Sequence, residues 1–316
     1  MIKNYAKVFD TLVKKTADYV QNAGLQTMVL GISGGIDSTV VAAICYEVSK
    51  QTGIPLIGRS LPTKFNKEGE TTTADLVGKA FCTDYKVFNM DLSYRKFAYD
   101  ITFSEGLINT SGPFDFDKKL PKQTNLANGN IQARLRMIYL YNLASIHKGL
   151  VMDTDNLTEN NLGYFTIHGD VGDFNPIGGL WKTEVFELAK YLHEYYSVES
   201  HFNETYSDQL KPNSDYSRCV AVSESLKLKP TAGLGITDSD LDELGADSYE
   251  QVDTIIQEIL AWKAFMDPEV GTLQEFLDAQ QMLNIPYKIV EAVATRHFAS
   301  EFKRKQLPIK ITRHEL

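Results

Sequence analysis

A short glycine loop with hydroxyl and carboxylate side chains is the first feature of the sequence that could do chemistry. The apolar run Met28–Ile32 predicts a buried strand, and Ser33-Gly-Gly-Ile-Asp-Ser38 then leads into an apolar helical segment. Glycines let a ligand approach the backbone, and the N–H groups and dipole of a new helix attract anions. Because Asp37 would repel a bare phosphate, its presence indicates a bridging divalent metal such as Mg2+. The alternative is a capped glycine turn that binds nothing.

The end of a later predicted strand is also rich in oxygen atoms. Gly149-Leu-Val-Met152 is followed by Asp153, Thr154, Asp155 and Asn156, and Glu159 comes soon after. The carboxyl ends of parallel strands lie at one edge of a sheet, where ligands bind. We therefore expect this group of side chains to lie near the glycine loop.

A third candidate is the glycine-punctuated segment 163–183, which carries Asp170, Asp173 and Lys182. Two acids and a base within such a loop could bind a polar ligand. A surface loop with turn-forming aspartates is an equally good interpretation of the same residues.

Apolar periodicity predicts the elements that would position these groups. The predicted strands cover 28–32, 54–60, 85–90 and 149–154, and the predicted helices cover 5–22, 40–48, 68–81, 129–147, 184–195, 238–263 and 287–302. Strands that alternate with helices favour right-handed crossovers. The sequence thus predicts an α/β fold with a doubly wound, mainly parallel sheet flanked by helices, and a helical C-terminal part.

Two segments are less regular. Residues 103–128 are rich in Asn, Gly, Pro, Lys and Thr, which is typical of a long loop. Residues 196–228 turn polar without a clear period, which predicts an insertion or a loosely packed excursion. Apart from that segment, we expect residues 1–316 to form a single domain.

The helix predicted over residues 129–147 has the strongest helical signal in the chain. The side chains predicted to share its buried side are Ile131, Leu135, Ile138 and either Tyr141 or Asn142. Arg134 and Arg136 lie in the same helix, where arginines more often belong to a solvated face than to a binding site.

Composition excludes several classes of protein. The chain has 316 residues, a net charge of −9, 43% hydrophobic and 23% charged residues, which is ordinary for a globular protein but unlike a general nucleic-acid binder. No apolar stretch approaches the length of a membrane span. The three cysteines are odd in number and far apart, which predicts reduced thiols and a cytoplasmic location.

Taken together, the motifs resemble a known family. Ser33–Ser38 resembles the pyrophosphatase loop of the N-type ATP pyrophosphatases, which include GMP, asparagine and NAD synthetases and several tRNA-modifying enzymes. Later motifs are similar to those of the NAD synthetase family in order and approximate spacing. These motifs are Asn128–Met137, Asp153–Glu159, Gly169–Gly178, Leu180–Thr183 and Lys229–Ala232. The resemblance covers about residues 5–310 and is weakest in 104–124 and 196–228.

The resemblance implies an adenine nucleotide alpha hydrolase-like fold and ATP-dependent amidation of deamido-NAD to NAD. In that reaction the substrate carboxylate attacks the α-phosphate of ATP, which forms an acyl-adenylate and pyrophosphate, and ammonia then displaces AMP. No side chain has to act as a nucleophile, because positioning and electrostatics supply the catalysis. The matching positions for transition-state electrostatics are Ser33 and Lys182.

The resemblance also implies the remaining site residues. The ATP-binding positions would be Gly31, Ile32, Ser33, Gly34, Gly35, Ile36, Asp37, Ser38, Arg59, Thr154, Lys182 and Thr231. Asp37 and Glu159 would hold Mg2+. Arg134, Asp173 and Lys303 would contact deamido-NAD, with Lys303 closing over the substrate.

The chain departs from the family pattern at a few positions. Asp153 stands where glycine is common, Ile167 or His168 replaces a lysine, and Phe302 replaces a histidine beside Lys303. The loop Gly169–Asp173 is one residue shorter than usual. These departures concern deamido-NAD contacts more than ATP activation. They motivate one alternative, an inactive nucleotide-binding homologue; a second is another N-type ATP pyrophosphatase, such as a tRNA-modifying adenylase.

The resemblance is to the ammonia-dependent form of the family. We expect no glutaminase domain, so that ammonia would come from solution or from a separate protein. The family also implies a homodimer with the dinucleotide site at the subunit interface. The helices predicted over 5–22 and 129–147 would contribute to that interface.

Overall fold

The computed structural model describes residues 4–105, 122–230, 239–265, 271–279 and 284–304. Within these ranges the chain forms a sheet of parallel strands in the order β3-β2-β1-β4. The strands are β1 (Thr27–Gly31), β2 (Leu56–Ser60), β3 (Asp84–Val87) and β4 (Gly149–Val151). The predicted parallel sheet is therefore confirmed.

Helices follow each strand, as predicted, but the helix Asp91–Ser104 was not predicted, and two helices separate β3 from β4. They are α1 (Tyr5–Asn22), α2 (Ile36–Thr52), α3 (Glu68–Phe81), α4 (Asp91–Ser104), α5 (Lys122–Ile146), α6 (Leu157–Leu162), α7 (Lys182–Asn203), α8 (Tyr206–Gln209), α9 (Asp215–Lys227), α10 (Asp240–Leu244), α11 (Tyr249–Phe265), α12 (Leu273–Ala279), α13 (Tyr287–Ala299) and α14 (Glu301–Arg304). The bounds of α1 and α3 are those that the periodicity predicts.

Side chains alternate between two buried faces of the sheet, as a doubly wound fold requires. Met28 and Leu30 of β1 belong to a core formed with α1, α2, α3, α7 and α9. Val29 points to the other face, where it packs with Leu140 and Ala144 of α5. A separate cluster joins α10–α13 to Leu162 of α6, and this is the predicted helical C-terminal part.

The strand order creates a crevice at the carboxyl end of β1. This strand pairs with β2 on one side and with β4 on the other. The chain moves outward from β1 to β2 and β3 and then crosses back to β4 on the far side of β1, so the strand order reverses there. Ligands of open α/β sheets bind at such a switch point. The glycine loop after β1 and the polar cluster after β4 are therefore neighbours.

The structure corrects the prediction for α5 and the segment before it. The helix begins at Lys122, inside the segment 103–128 that was predicted to be a loop, whereas residues 106–121 lie outside the described residues. The predicted buried side is only partly right, because Ile138 is 64% exposed and Tyr141 is 36% exposed. The buried side chains of α5 are Gln132, Ala133, Leu140 and Ala144.

The segment 196–228 is not loosely packed. It contains the end of α7, all of α8 and all of α9. Ala221 and Val222 of α9 are fully buried in the main core, and the buried Arg218 donates to the backbone carbonyl of Ala80. Several of its buried residues are polar, namely Ser200, Ser214, Arg218 and Ser225, so the segment lacks the apolar periodicity that predicts a helix. That the segment is an insertion in a single domain stays a prediction.

Two predicted C-terminal helices are shorter than expected. The acidic stretch 238–263 divides into α10 and α11 at Gly245, whose φ of +64° ends α10 in a left-handed turn. The last predicted helix divides at Ser300 into α13 and α14. Among the helices that the structure describes, none is long and apolar enough to cross a membrane.

Candidate active site

The glycine loop connects β1 to α2 and approaches α3 closely. Gly34 has a φ of +87°, and a Cβ there would lie 2.3 Å from the carbonyl oxygen of Glu70. Only glycine combines this backbone conformation with so close an approach. Gly34 is thus required for the path of the loop.

The start of α2 is open to an anion. Gly35 is the N-cap residue and provides no side-chain cap, so the first-turn N–H groups are available to a ligand. Ser33 Oγ lies 3.0 Å from Ser38 Oγ, and Ser38 Oγ donates to the Gly35 carbonyl. These hydroxyls pre-form a polar cradle around the helix terminus.

The two predicted metal ligands converge on one point. Lys182 Nζ lies 2.5 Å from Asp37 Oδ2 and 2.8 Å from Glu159 Oε1. The Lys182 side chain is 1% exposed, and its ammonium group neutralises the two carboxylates. Residues far apart in sequence thus form a compact group of charges beside the glycine loop.

Asn156 orients both carboxylates. Its amide donates to Asp37 Oδ1 at 2.8 Å, and its side-chain oxygen accepts from the N–H of Glu159 at 3.0 Å. Glu159 Oε2 accepts from the N–H of Asn156 in return, which makes a capping box at the start of α6. The buried Asn156 therefore connects the end of β4 to the glycine loop.

Burial and mutual repulsion perturb the titration of this group. Burial and the negative charge of Asp37 raise the pKa of Glu159 to about 7, although Lys182 acts to lower it. Burial acts to lower the pKa of Lys182, but Asp37 and Glu159 hold that pKa well above its ordinary value. Shifted pKa values of this kind are typical of functional sites.

A cavity of about 330 Å³ opens above the glycine loop. The predicted ATP-binding residues that line it are Gly31, Ile32, Ser33, Gly35, Ile36, Asp37, Ser38, Arg59, Thr154 and Lys182. Glu159 lines it as well, whereas Gly34 faces α3 instead. Thr231 lies outside the described residues. Most of the predicted ATP positions are therefore gathered around one space.

Arg59 lines this cavity with its charge already paired. The side chain is 3% exposed, and its guanidinium donates to Asp84 Oδ2 at 2.7 Å and to the carbonyls of Gly58 and Asp84. A nucleotide contact from Arg59 would thus come from a guanidinium that β3 holds in place.

A second cavity of about 780 Å³ adjoins the first, and both are lined by Met137 and Asp155. Arg134 and Lys303, two of the predicted deamido-NAD residues, line the second cavity. Arg134 donates to the backbone carbonyl of Ile167. Its neighbour on the helix, Arg136, instead lines the first cavity. The two arginines therefore serve different cavities.

Asp173 lies beside the second cavity rather than in its lining. Its carboxylate accepts from the N–H of Val151 at 2.9 Å and from the hydroxyl of Tyr141 at 3.1 Å. These contacts fasten the loop 163–173 to β4 and α5. A direct contact between Asp173 and a ligand stays a prediction.

Asp153 lines the second cavity and holds the loop 163–173. Its carboxylate accepts from the N–H of Asp155 at 2.8 Å and from the N–H of Gly172 at 3.0 Å. A Cβ at Gly172 would lie 2.7 Å from the backbone nitrogen of Asp153, so the two segments touch. Asp153 thus anchors the loop 163–173 to the end of β4.

Sequence analysis placed Asp155 and Asp170 among the candidate polar residues without assigning either to a ligand, and it did not select Asp240; all three line the first cavity. Burial raises the pKa of Asp170 to about 6, and burial together with the charge of Asp153 raises that of Asp155 well above its ordinary value. The signal for Asp155 was its place after β4. Asp240 comes from α10, and no local pattern brings it to the site.

The C-terminal segment holds Lys303 over the second cavity. Lys303 Nζ donates to the carbonyls of Gly163 and Phe165 at 2.7 and 2.6 Å. Arg304 donates to the carbonyl of His297, a 1% exposed residue of α13. Burial and the positive charge of Arg304 lower the pKa of His297 to about 3. The segment is therefore seated against a neutral imidazole.

This neutral histidine predicts a loss of stability in acid. The pKa of His297 falls from 6.5 in the unfolded chain to about 3 in the folded chain. Above pH 6.5 the imidazole is neutral in both states, and its titration costs the folded protein no stability. Between pH 7 and pH 5, the unfolded state alone binds a proton there, which lowers the free energy of unfolding by about 2 kcal/mol. Urea unfolding at both pH values should show that His297→Leu reduces the acid loss by this amount. The exposed His201 gives the control, His201→Leu, which should unfold with wild-type pH dependence.

The carboxylate pair fits a magnesium ion. Among the described residues, no group of three His, Cys, Asp or Glu side chains could hold a metal. Asp37 and Glu159 nevertheless meet around one cationic nitrogen, and Mg2+ commonly takes one or two carboxylates together with phosphate oxygens and water. The donor set is thus suited to a metal that arrives with a polyphosphate.

Comparison with known proteins extends the likeness across the chain. The family model described as NAD synthase matches residues 8–307. A protein of Methanococcoides burtonii named NH(3)-dependent NAD(+) synthetase is 33% identical over 254 residues, which covers 80% of this chain and 79% of that protein. A protein of the same name from Thermococcus sibiricus is 31% identical over 308 residues, 97% of each chain.

Solved structures show the same fold. An NMN synthetase from Francisella tularensis superposes with a TM-score of 0.67 at 25% identity, covering 98% of this chain and 100% of that one. An NH3-dependent NAD synthetase from Campylobacter jejuni superposes with a TM-score of 0.61 at 21% identity, with the same coverage. With its glycine loop, strand-end carboxylates and matching family model, the chain belongs to the NAD synthase family.

Proposed function

We propose that this chain is an ammonia-dependent NAD synthetase, a ligase that forms a carbon–nitrogen bond. It amidates deamido-NAD to NAD, with ATP as co-substrate and AMP and pyrophosphate as products. The observation that carries this proposal is the meeting of Asp37, Glu159 and Lys182 beside the open start of α2. That arrangement suits a reaction that must hold a triphosphate and neutralise a departing pyrophosphate.

In this proposal the first cavity binds ATP. The N–H groups at the start of α2 and the hydroxyls of Ser33 and Ser38 bind the phosphates. Asp37 and Glu159 would hold Mg2+, which when bound neutralises phosphate charge. Lys182 supplies a second positive charge at the same place. Arg59, Thr154 and the undescribed Thr231 complete the proposed nucleotide contacts.

The second cavity binds deamido-NAD, with Arg134 and Lys303 as its cations. The junction lined by Met137 and Asp155 is where the substrate carboxylate would meet the α-phosphate. The carboxylate oxygen bonds to phosphorus as pyrophosphate leaves. Ammonia then bonds to the carbonyl carbon, the bond to AMP breaks, and one proton is lost. Asp155, whose pKa is raised by burial and by Asp153, suits acceptance of that proton.

A turnover assay tests the function directly. Protein, ATP, Mg2+, deamido-NAD and ammonium chloride are incubated, and the products are separated by chromatography. NAD, AMP and pyrophosphate should form in equal amounts. ADP as a product would contradict the proposal. ATP binding without pyrophosphate release would favour the alternative of an inactive nucleotide-binding homologue, and RNA binding at physiological salt would favour a tRNA-modifying adenylase.

A mononucleotide substrate is the second candidate. The Francisella tularensis protein named NMN synthetase has a higher TM-score and identity to this chain than the Campylobacter jejuni synthetase does. The departures at Asp153 and in the loop 163–173 also lie at the second cavity, where the two substrates would differ. The same assay with nicotinate mononucleotide decides between them by the ratio of kcat/KM values.

We also propose a homodimer that covers the exposed apolar face of α5. Ile138 and Tyr141, three residues apart and so on one side of this helix, are 64% and 36% exposed, and both line the second cavity. Exposed apolar faces of this kind mark interfaces. Sedimentation should give a dimer for the natural protein and a monomer for Ile138→Glu. The exposed Phe202, on α7, gives the control Phe202→Glu, which should stay dimeric.

The cytoplasm stays our prediction of location. Cys45 is buried, Cys82 and Cys219 are half-buried, and all three are free thiols. Free cysteines are usual in a reducing compartment. Cell fractionation with an antibody to the protein would test this prediction.

A further inference from the structure

The start of α7 is held by a residue from a distant helix. Trp181, the N-cap residue, provides no side-chain cap for the first N–H groups. The N–H of Thr183 instead donates to Asp253 Oδ2 at 3.1 Å, and the N–H of Lys182 donates to Thr158 Oγ1 at 2.8 Å. The helix that begins with Lys182 is thus capped from outside.

Asp253 makes this cap from α11 in the C-terminal helical cluster. Its side chain is 2% exposed. Oδ1 accepts from the hydroxyl of Thr158 at 2.5 Å, and Oδ2 accepts from the hydroxyl of Thr183 at 2.8 Å. Together with the Thr183 N–H, three donors converge on one carboxylate. A carboxylate suits this place because both of its oxygens only accept hydrogen bonds.

The two threonines are the sequence neighbours of site residues. Thr158 immediately precedes Glu159, and Thr183 immediately follows Lys182. Glu159 and Lys182 are themselves joined at 2.8 Å. Asp253 therefore links the two backbone segments that carry this ion pair, one residue away from it on each side.

We propose that Asp253 is a positioning residue that sets the separation of Lys182 and Glu159 through Thr183 and Thr158. The inference rests on the proposed function for its effect on the reaction. Asp253 touches neither cavity, so its influence passes through the backbone of α6 and α7. Misplacement of a catalytic group by about 1 Å can cost about a hundredfold in rate.

The first test compares Asp253→Asn with a core variant that destabilises the same helix. Asparagine keeps the shape but presents an N–H group to one of the donors. Asp253→Asn should lower kcat about tenfold to a hundredfold, raise the Mg2+ concentration needed for half-maximal rate, and leave the KM for deamido-NAD within about twofold. Ile259→Val, in the buried face of α11, is the control and should keep kcat. The proposal would be overturned if Ile259→Val lost as much kcat as Asp253→Asn. A rise in the KM of Asp253→Asn for deamido-NAD as large as its loss of kcat would overturn it as well.

Hydroxyl rescue separates positioning from general damage. Thr183→Val removes one donor to Asp253, whereas Thr183→Ser keeps it. The valine variant should lose kcat as Asp253→Asn does, the serine variant should retain most of it, and the two losses should not add in the double variant. Additive losses, or equal losses in the serine and valine variants, would contradict the positioning role.

Amide hydrogen exchange, which requires no catalytic turnover, tests this inference separately from the proposed function. Hydrogen exchange should show protected amides at Lys182 and Thr183 that exchange faster in Asp253→Asn, while amides in the middle of α7 stay protected. Unchanged exchange at the start of α7 would overturn the inference even in an active enzyme. If the wild-type protein shows no turnover but exchange at the start of α7 is faster in Asp253→Asn, the proposed function is refuted. The structural link between Asp253 and the start of α7 would then still hold.

Discussion

Replacing Asp37 with alanine is expected to lower deamido-NAD-dependent ATP–pyrophosphate exchange by about a thousandfold or more. Asp37 offers one of the two carboxylates that would hold Mg2+, and it is the partner of Lys182 at 2.5 Å. Without it, the phosphates at the start of α2 lose a fixed metal ligand. Exchange of labelled pyrophosphate into ATP measures this first chemical step without the ammonia step.

The fold should survive this change. Asp37 is 16% exposed at its side chain, and its removal leaves Lys182 paired with Glu159. Circular dichroism should therefore be unchanged, and Asp75→Ala is a suitable control because Asp75 pairs with Lys79 on the exposed surface of α3. Wild-type exchange in Asp37→Ala would refute the metal-ligand assignment.

Glu159→Gln tests whether the two carboxylates act as one unit. Each single variant should lose most of the exchange activity, and the double variant should lose little more, because either loss already breaks the metal site. Excess Mg2+ should partly restore the single variants only. Fully additive losses would mean that Asp37 and Glu159 act independently.

The general location of the site could be predicted from the sequence. The glycine loop lies at the end of one buried strand, and the oxygen-rich group lies at the end of another. In a parallel sheet both ends must lie at the same edge. Asp37 and Glu159 therefore had to be near each other once β1 and β4 were neighbours.

The position of Lys182 could not be predicted in the same way. It reaches Asp37 across 145 residues, from the start of a helix whose first N–H groups donate to Thr158 and Asp253. No spacing in the sequence encodes a contact between α7 and the C-terminal helices. Only the resemblance to a family predicted a nucleotide contact for this lysine.

For α5, the apolar pattern predicted a helix but not which of its side chains are buried. Spacing identified a helix with an apolar stripe, but it could not say which partner covers that stripe. The sheet packs against Leu140 and Ala144, while Ile138 and Tyr141 stay exposed on the single chain. An apolar pattern indicates burial in the assembly, and our proposed dimer would bury this face.

Replacing Lys182 with methionine should have a large effect on both activity and stability. The lysine supplies positive charge at the proposed pyrophosphate site, so exchange activity should fall by about a thousandfold. Its loss also leaves two neighbouring carboxylates without their counter-charge. Breaking a buried pair in this way costs about 3–5 kcal/mol in free energy of unfolding. Lys190→Met is the matched control, since Lys190 lies on the exposed side of the same helix.

The stability loss should depend on pH in a defined direction. The pKa of Glu159 is about 7 in the folded protein and 4.5 in the unfolded chain, so wild-type stability decreases as pH rises through that window. Lys182 holds this pKa down, and its removal extends the window above pH 7. In metal-free buffer the difference between wild type and Lys182→Met should thus grow by about 1.4 kcal/mol per pH unit from pH 7 up to the pKa that Glu159 has in the variant.

A second substitution separates the two effects of Lys182. In Lys182→Met/Glu159→Gln the Asp37 carboxylate no longer faces the charge of Glu159, and Asn156 still donates to it. Urea unfolding at pH 8 should show that the double variant regains most of the stability that Lys182→Met loses. Glu159→Gln alone already loses most of the exchange activity, so the residual exchange of the double variant is compared with that of Glu159→Gln. A further fall in exchange would assign Lys182 to the reaction, because its ammonium group is then needed by the phosphates as well as by the carboxylates. Equal residual exchange in the two variants would mean that Lys182 serves only to balance charge.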